Sequence, residues 1–212
     1  NICKDAKKLQ RITFEEMLEL ASLGAKVLQL RSVEIAMKYG IPIHVRSSFN
    51  EATGTLVGAE DDESFEAVVV TGVAIDRNEV KVTLRDLPNR PGVVAKIFGG
   101  LAEKNISVDM IIQTESRGER ADLTFTVTQT DLAKTREVTQ MIGKDIGASG
   151  VELHDNVAKV SIVGAGMRSH AGVAAKMFKL LADQSINIQC ITTSEIRVSC
   201  LIDKAQSELA VR

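Results

Sequence analysis

The chain has 212 residues, enough for one or two domains, and 44% of them are hydrophobic while 25% are charged. This composition excludes wholesale disorder, and the absence of any run of about 18 apolar residues predicts that no segment spans a membrane. A net charge of −2, with 3% aromatic residues and no Trp, provides neither the basic surface nor the stacking side chains that nucleic-acid binding needs. Because the chain does not begin with Met and no apolar segment follows its first residues, we expect a piece of a longer protein without a signal peptide.

The first region, residues 1–57, is predicted to be helix-rich and then extended. Thr13 and Glu16 have the spacing of a capping box, which predicts that a helix begins directly after Thr13. A second helix is predicted from about residue 32 to residue 39, and a strand over residues 41–46. Two helices and one strand cannot enclose a core, so we expect this region to be the C-terminal tail of an α/β domain.

An acidic segment follows. Residues 58–64 contain four acidic side chains and no bulky apolar group, which predicts a solvated linker that we assign to residues 58–66.

The remainder contains an internal repeat with an offset of 80 residues, clearest between residues 92–111 and 172–191. Nine of these 20 paired positions are identical, so a duplication explains them best. Each copy predicts a strand (residues 80–84 or 159–163), a helix with apolar residues at i, i+3, i+4 and i+7, and a β-hairpin whose first strand begins at Ser107 or Asn187. The first copy adds a helix at about residues 131–146 and a last strand at residues 151–153. This order is the βαββαβ pattern of ferredoxin-like folds. We therefore predict an α+β protein with two such domains, at residues 77–156 and 157–212.

The second copy stops early, because only the start of its second helix and no fourth strand remain after residue 203. An additional apolar strand, residues 67–76, precedes the first copy. We expect this strand to complete the second sheet, which would interleave the two domains. Trimming of the chain at its end is an equally open explanation.

Neither catalytic nor metal-binding spacing is present. The three histidines are scattered, and no Gly-rich phosphate loop occurs. Cys190 and Cys200 lie in apolar stretches, so we expect both to be small buried side chains in a reducing compartment, the cytoplasm.

A ligand-binding pattern is better supported. In both copies a glycine, Gly92 or Gly172, stands where a helix opens, and the free N–H groups of a helix start favour a carboxylate. The next strand of the first copy begins with polar residues and offers Asp109 as an anion for an ammonium group. A carboxylate site beside an ammonium site describes an α-amino acid, although ordinary turn chemistry would also explain the glycines.

Several segments resemble the aspartate kinase family, in particular its regulatory half with tandem ACT domains. Residues 159–170 (KVSIVGAGMRSH) and 193–199 (TSEIRVS) are similar to its second ACT repeat, and residues 108–113 (VDMIIQ) to its first. Residues 14–28 (FEEMLELASLGAKVL) and 31–34 (RSVE) resemble the end of its kinase domain. The resemblance covers essentially the whole chain.

The resemblance also implies site residues, matched position by position. Effector contacts are implied in the first repeat at Asn89, Gly92, Val94, Ser107, Val108, Asp109 and Gln113, and in the second at Asn187, Ile188, Ser194 and Glu195. Lys26 matches a lysine that contacts ATP in the family. Asn89 stands where many members have Asp, and Thr114 where they often have Asn, so the identity of the effector stays open.

The implied activity belongs to the whole enzyme, which phosphorylates the aspartate side chain with Mg-ATP at the start of lysine, threonine and methionine synthesis. Lysine, or lysine with threonine, inhibits it at ACT interfaces. We expect a homodimer joined through the ACT domains and a kinase domain upstream. We also expect no cofactor or metal in this segment, and no kinase activity from it alone.

Three rival functions are considered: an ACT module that only dimerises, the ACT domain of another amino-acid biosynthetic enzyme, and an RNA-binding module of the same βαββαβ pattern. The RNA-binding reading needs aromatic residues on the central strands, where only Phe125 is present.

Overall fold

A computed structural model describes residues 2–59, 69–115 and 118–212, without the side chain of residue 115. Residues 60–66 of the predicted linker, and residues 67 and 68 of the strand predicted after it, lie outside the described part. The chain forms two compact units. We call Asn1–Asp76 together with Lys159–Arg212 the second-repeat unit, and Arg77–Ala158 the first-repeat unit.

The helices and strands follow one another as the repeat predicts. In chain order they are β1 (Arg11–Thr13), α1 (Phe14–Ser22), α2 (Leu30–Tyr39), β2 (Ile43–Val45), β3 (Thr55–Gly58), β4 (Gly72–Pro88), α3 (Val93–Glu103), β5 (Ile111–Glu115), β6 (Arg120–Thr128), α4 (Leu132–Ile146), β7 (Gly150–Val163), α5 (Val173–Asp183), β8 (Cys190–Thr193), β9 (Arg197–Asp203) and α6 (Ser207–Val211).

In the first-repeat unit the sheet has the order β5-β6-β4-β7, with β6 antiparallel to both of its neighbours. Helices α3 and α4 pack against it around Ile97, Leu101 and Phe125, none of which has any exposed surface. Gly100 allows the close approach of the two helices, because a Cβ atom there would collide with the side chain of Ile142. The predicted ferredoxin-like pattern is confirmed here.

The sheet of the second-repeat unit has the order β4-β7-β9-β8, and α5 covers a core that includes Leu181 and Cys200. The start of β4 belongs to this sheet, and the N–H of Thr71 just before it donates to the carbonyl of Val163 at 2.8 Å. After β9 the chain makes one short helix, α6, as the sequence predicts.

The N-terminal region adds a three-stranded sheet of order β1-β3-β2 to the second-repeat unit. Its core is built from α1, α2 and β3, and it also takes in Ala74 of β4 and Val163 of β7. The expectation that this region cannot enclose a core by itself therefore agrees with the packing. Strands β1 and β3 were not predicted, because three or four residues are too few to show an alternating pattern.

Several boundaries differ from the sequence prediction. The strands predicted at 67–76 and 80–84 are one strand, β4, from residue 72, and β7 likewise joins two predicted strands. The strands predicted to begin at Ser107 and Asn187 begin later, because each helix is followed by a left-handed residue, Asn105 (φ 54°) or Ser185 (φ 56°), and the chain first returns from the helix to the sheet.

Only one of the two predicted buried cysteines is fully buried. Cys200 lies in the core, and its burial raises the pKa of the thiol to about 11, which makes it unreactive at neutral pH. The expectation was wrong for Cys190, which is only half-buried because β8 is the last strand of its sheet. Over the residues described, no helix has the length and apolar character needed to cross a bilayer.

The close packing at Gly164 can be tested by substitution. A Cβ atom at this extended residue would press on the carbonyl oxygen of Val69 and lie 2.9 Å from the Cα of Val70. We predict that Gly164→Ala lowers the free energy of unfolding by about 1–3 kcal/mol, measured by urea denaturation, because backbone has to move. Gly150→Ala is the control, since a Cβ there meets no atom within 4 Å. Equal effects of the two changes would contradict this packing.

Candidate functional site

The two repeats build the same backbone around their helix starts. Gly92 and Gly172 each precede a helix with a φ of 92°, a left-handed value that favours glycine. Each accepts from the N–H four residues later, at 2.9 Å in both copies. The duplication that the sequence indicates is therefore present as a duplicated turn geometry.

The Cβ position of each helix-start glycine is open. A Cβ atom built on Gly92 or on Gly172 meets no atom of the described chain within 4 Å, and no side chain of the described residues caps either helix. The first N–H groups of a helix have no partner within the helix and carry its positive dipole end. Each start can therefore receive a carboxylate from outside the chain.

The first-repeat site gathers around Asn89. Its side-chain oxygen accepts from Gln113 Nε2 at 3.2 Å, and its N–H donates to the carbonyl of Glu119 at 2.8 Å. Two predicted site residues, one in the turn before α3 and one on β5, are thus brought together.

The remaining first-repeat residues differ in exposure. Val94 and Val108 are half-buried, and Val108 packs on the core. Ser107 and Asp109 are exposed, and the N–H of Asp109 donates to the carbonyl of Thr126 at 3.1 Å. Asp109 is therefore held near β6 by its backbone, with an exposed carboxylate.

A β-bulge sets the path of the chain into this site. Asp86 has a φ of 55°, and the register between β4 and β6 shifts between Leu84 and Leu87. The N–H of Asp86 and the guanidinium of Arg85 each donate to Asp122 at 2.8 Å. These two contacts, the Asp86 N–H first, hold the pKa of Asp122 below its usual value. The turn at Asn89 therefore follows directly after a β-bulge, and charge-assisted hydrogen bonds to Asp122 hold this bulge in place.

The second-repeat site consists of the candidate residues Asn187, Ile188, Ser194 and Glu195. Asn187 is exposed, and Ile188 is half-buried against the core. Ser194 closes the turn between β8 and β9 by donating its N–H to the carbonyl of Arg197 at 2.9 Å. Glu195 has 82% of its side chain exposed and lies 3.3 Å from the Nε of Arg168. This site offers an exposed carboxylate near the turn that leads to α5.

Comparison with known proteins assigns these regions to families. Models of the ACT domain match residues 82–140 and 160–212, and the amino acid kinase family model matches residues 1–47. The ligand-free crystal structure of the regulatory subunit of aspartate kinase from Thermus thermophilus is 40% identical, with a TM-score of 0.65. The alignment covers 68% of this chain and 95% of that subunit. The chain belongs to the aspartate kinase family.

Longer members of the family match over a greater part of the chain. An aspartate kinase from Pseudomonas putida is 50% identical over 100% of this chain but only 51% of its own length. The chain therefore spans about half the length of the curated aspartate kinases that it matches. E. coli aspartokinase III, crystallised with lysine and aspartate, is 28% identical with a TM-score of 0.73, over 99% of this chain and 46% of that one.

The residues that match the kinase domain of the family include Lys26. This residue is exposed in the loop between α1 and α2. Across the described ranges, no group of three His, Cys, Asp or Glu side chains could hold a metal ion.

Helix α1 instead makes a contact that the sequence did not predict. Glu16 is 5% exposed, and one of its oxygens accepts from Thr71 Oγ1 at 2.5 Å and from the N–H of Ala165 at 2.9 Å. The other oxygen accepts from the N–H and the hydroxyl of Thr13, at 3.1 and 3.0 Å. The capping box identified Glu16 only as a helix cap. Its partner 149 residues later leaves no local signal in the sequence.

Two further acids of α1 bind the same repeat. Glu15 accepts from Arg168 at 2.7 Å, and Glu19 accepts from Arg197 at 3.0 Å. We call residues 1–47, which match the amino acid kinase family, the kinase-like region. In this aspartate kinase chain, three carboxylates of its helix α1 therefore bind residues of the second ACT repeat.

We predict that Glu16→Gln destabilises the chain by about 1.5–3 kcal/mol at pH 7, because an amide would turn an NH₂ group toward donors. Burial raises the pKa of Glu16, but the hydrogen bonds from Thr71, Ala165 and Thr13 lower it more, so the pKa of this carboxyl lies below its usual value. A carboxyl whose pKa is lower in the folded than in the unfolded state stabilises the folded protein at pH values above its unfolded pKa. This stabilisation is lost as the pH falls through the folded-state pKa.

Urea denaturation at several pH values should therefore show the variant and the wild type converging below about pH 4. Glu34→Gln, a change at an exposed position of α2, serves as the control and should leave the free energy of unfolding unchanged at all of these pH values. A constant difference at all pH values would show that the ionised form of Glu16 does not supply the stabilisation.

Proposed function

We propose that this chain is the amino-acid-sensing regulatory part of an aspartate kinase, and that it binds lysine, threonine or both. The single observation that carries the proposal is the open, uncapped helix start at Gly92, three residues from the Asn89–Gln113 pair. An ACT domain with a free anion-binding helix start beside polar groups suits a zwitterionic ligand.

The proposed mode of binding follows from the charges. The effector carboxylate accepts from the N–H groups at the start of α3, and its α-ammonium lies near Asp109 or the backbone beside it. Asn89 is neutral and already bonded to Gln113, so it offers an amide rather than a charge to the effector side chain. In the second repeat, Glu195 supplies an anion.

The similarity to E. coli aspartokinase III, whose crystal structure contains lysine, favours lysine as one effector. Threonine rests on the family resemblance alone.

For the whole protein we propose ATP-dependent phosphorylation of the aspartate side-chain carboxylate, in the cytoplasm. Lys26, which the resemblance implies as an ATP contact, is exposed, and among residues 2–59, 69–115 and 118–212 no group of three His, Cys, Asp or Glu side chains could hold a magnesium ion. We assign nucleotide and magnesium to the rest of the protein, and we expect this chain alone to form no aspartyl phosphate.

The proposed partner is a second copy of the chain. Strands β5 and β8 each lie at the end of a sheet order. Each carries an exposed isoleucine at an equivalent position of the repeat, Ile111 at 50% and Ile191 at 42% exposure. Edge strands that carry exposed apolar side chains favour pairing between chains.

The effector site is tested by Gly92→Val and Asp109→Ala. We predict that each weakens binding of the effector at least about tenfold in calorimetric titration with lysine and with threonine. A valine side chain at position 92 obstructs the approach of the carboxylate to the helix start, and Asp109→Ala removes a charge-assisted contact. Gly147→Val controls for strain at a glycine of positive φ (77°) with open space around it, and Asp155→Ala controls for loss of an exposed acid.

Unchanged affinity for both amino acids in both site variants would place the site elsewhere. If the wild type binds neither amino acid, one of two alternative functions is better supported: a dimerisation module without a ligand, or the ACT domain of another biosynthetic enzyme.

The dimer is tested by light scattering. We predict twice the chain mass of 22.9 kDa for the wild type at micromolar concentration, and a shift toward the monomer for Ile111→Lys or Ile191→Lys. A lysine at an unpaired strand blocks edge pairing. Met141→Lys, at an exposed position of α4, should leave the mass unchanged. A wild-type monomer with both amino acids present would contradict the proposal.

A further inference from the structure

Arg168 binds two carboxylates that have different roles. Its Nη2 lies 2.7 Å from Glu15 of α1, and its Nε lies 3.3 Å from Glu195, a candidate effector contact. Glu15 has 48% of its side chain exposed and Glu195 has 82%. Because the same guanidinium contacts both acids, a cation that binds one acid changes the contact of Arg168 with the other.

The segment that carries Arg168 connects α1 to the helix start of the second repeat. A 3₁₀ turn, Ala165–Arg168, begins at the residue whose N–H donates to Glu16 and ends at Arg168. Directly after it, His170 Nδ1 hydrogen-bonds the carbonyl of Gly166 at 2.8 Å, and Gly172 precedes α5. Only three residues therefore lie between Arg168 and Gly172 at the helix start.

The other two α1 contacts do not compete with the site in this way. Glu16 is held inside the unit by Thr13, Thr71 and Ala165. Arg197 and Glu19 form a pair in which the side chains are only 22% and 24% exposed. Among the three acids of α1 described above, Glu15 is the one whose cation is shared with a candidate effector residue.

We propose that Arg168 couples the second-repeat site to helix α1. An effector ammonium that binds Glu195 displaces Arg168 from it, and Arg168 then keeps its contact with Glu15 and holds the start of α1 more firmly. The proposal rests on the proposed function for the role of Glu195, and it names the residue through which occupancy of that site reaches the kinase-like region. Because binding and coupling are reciprocal, firmer attachment of α1 in turn favours the effector.

The effector-free chain gives the first test, by amide hydrogen exchange across α1 (Phe14–Ser22). Glu195→Gln imitates a neutralised Glu195 and should slow exchange in α1 about two- to threefold, a small factor because the pair is exposed. Arg168→Gln should speed this exchange, and the exposed Arg31→Gln on α2 should leave it unchanged.

The double variant separates coupling from a structural role. In the Arg168→Gln background, Glu195→Gln should no longer slow exchange in α1, since the shared cation is absent. If Glu195→Gln has no effect in the wild type, or the same effect in both backgrounds, the proposal is overturned.

Lysine and threonine at saturation give the second test. Either effector that binds should slow exchange in α1 of the wild type and not of Arg168→Gln. Equal slowing in both would show that coupling bypasses Arg168. Failure of the wild type to bind either amino acid would refute the proposed function instead, while the effector-free comparison would still decide whether Arg168 links Glu195 to α1.

Discussion

Glu16 places a charged group where only 5% of its surface meets solvent, and four hydrogen-bond donors make this tolerable. A buried carboxylate that loses its donors is costly, so Thr13, Thr71 and Ala165 have to stay in place together. These residues come from the start of α1, the approach to β4 and the turn after β7. One carboxylate thus joins the kinase-like region to the second ACT repeat, and the shared core that contains Ala74 and Val163 depends on the same alignment.

The two repeats keep the backbone of the helix start while their surroundings have diverged. In the first, Gly100 lets α4 pack closely on α3. The equivalent position in the second is Leu180, which is 57% exposed beside the short α6. The turn before α3 is fixed by the bulge at Asp86, whereas the turn before α5 is fixed by Glu16 and Arg168. Duplication therefore supplies two similar helix-start geometries that are attached to different surroundings.

Much of this could be predicted from sequence, because the repeat is long and its helical periodicity strong. The helices α1, α3, α4 and α5, the βαββαβ order and the helix-start glycines all have local signals. Asn89 and Gln113 were each named from the resemblance as effector contacts, but their hydrogen bond to each other was not predicted. Strands β1 and β3 were too short to be recognised. The continuity of the long strands β4 and β7 depends on the strands with which they pair, so the sequence alone did not show that each is one strand. Glu16 and Arg168 bind residues far away in sequence, which a local pattern cannot reveal.

The central claim is that this chain recognises an amino acid through its ACT repeats. Calorimetric titration of the wild-type chain with lysine and with threonine, separately and together, tests it most directly. The account predicts saturable binding of at least one of them, abolished or weakened when Gly92 or Asp109 is changed. The absence of binding heat and of any change in thermal stability with either amino acid, or with both, would contradict it.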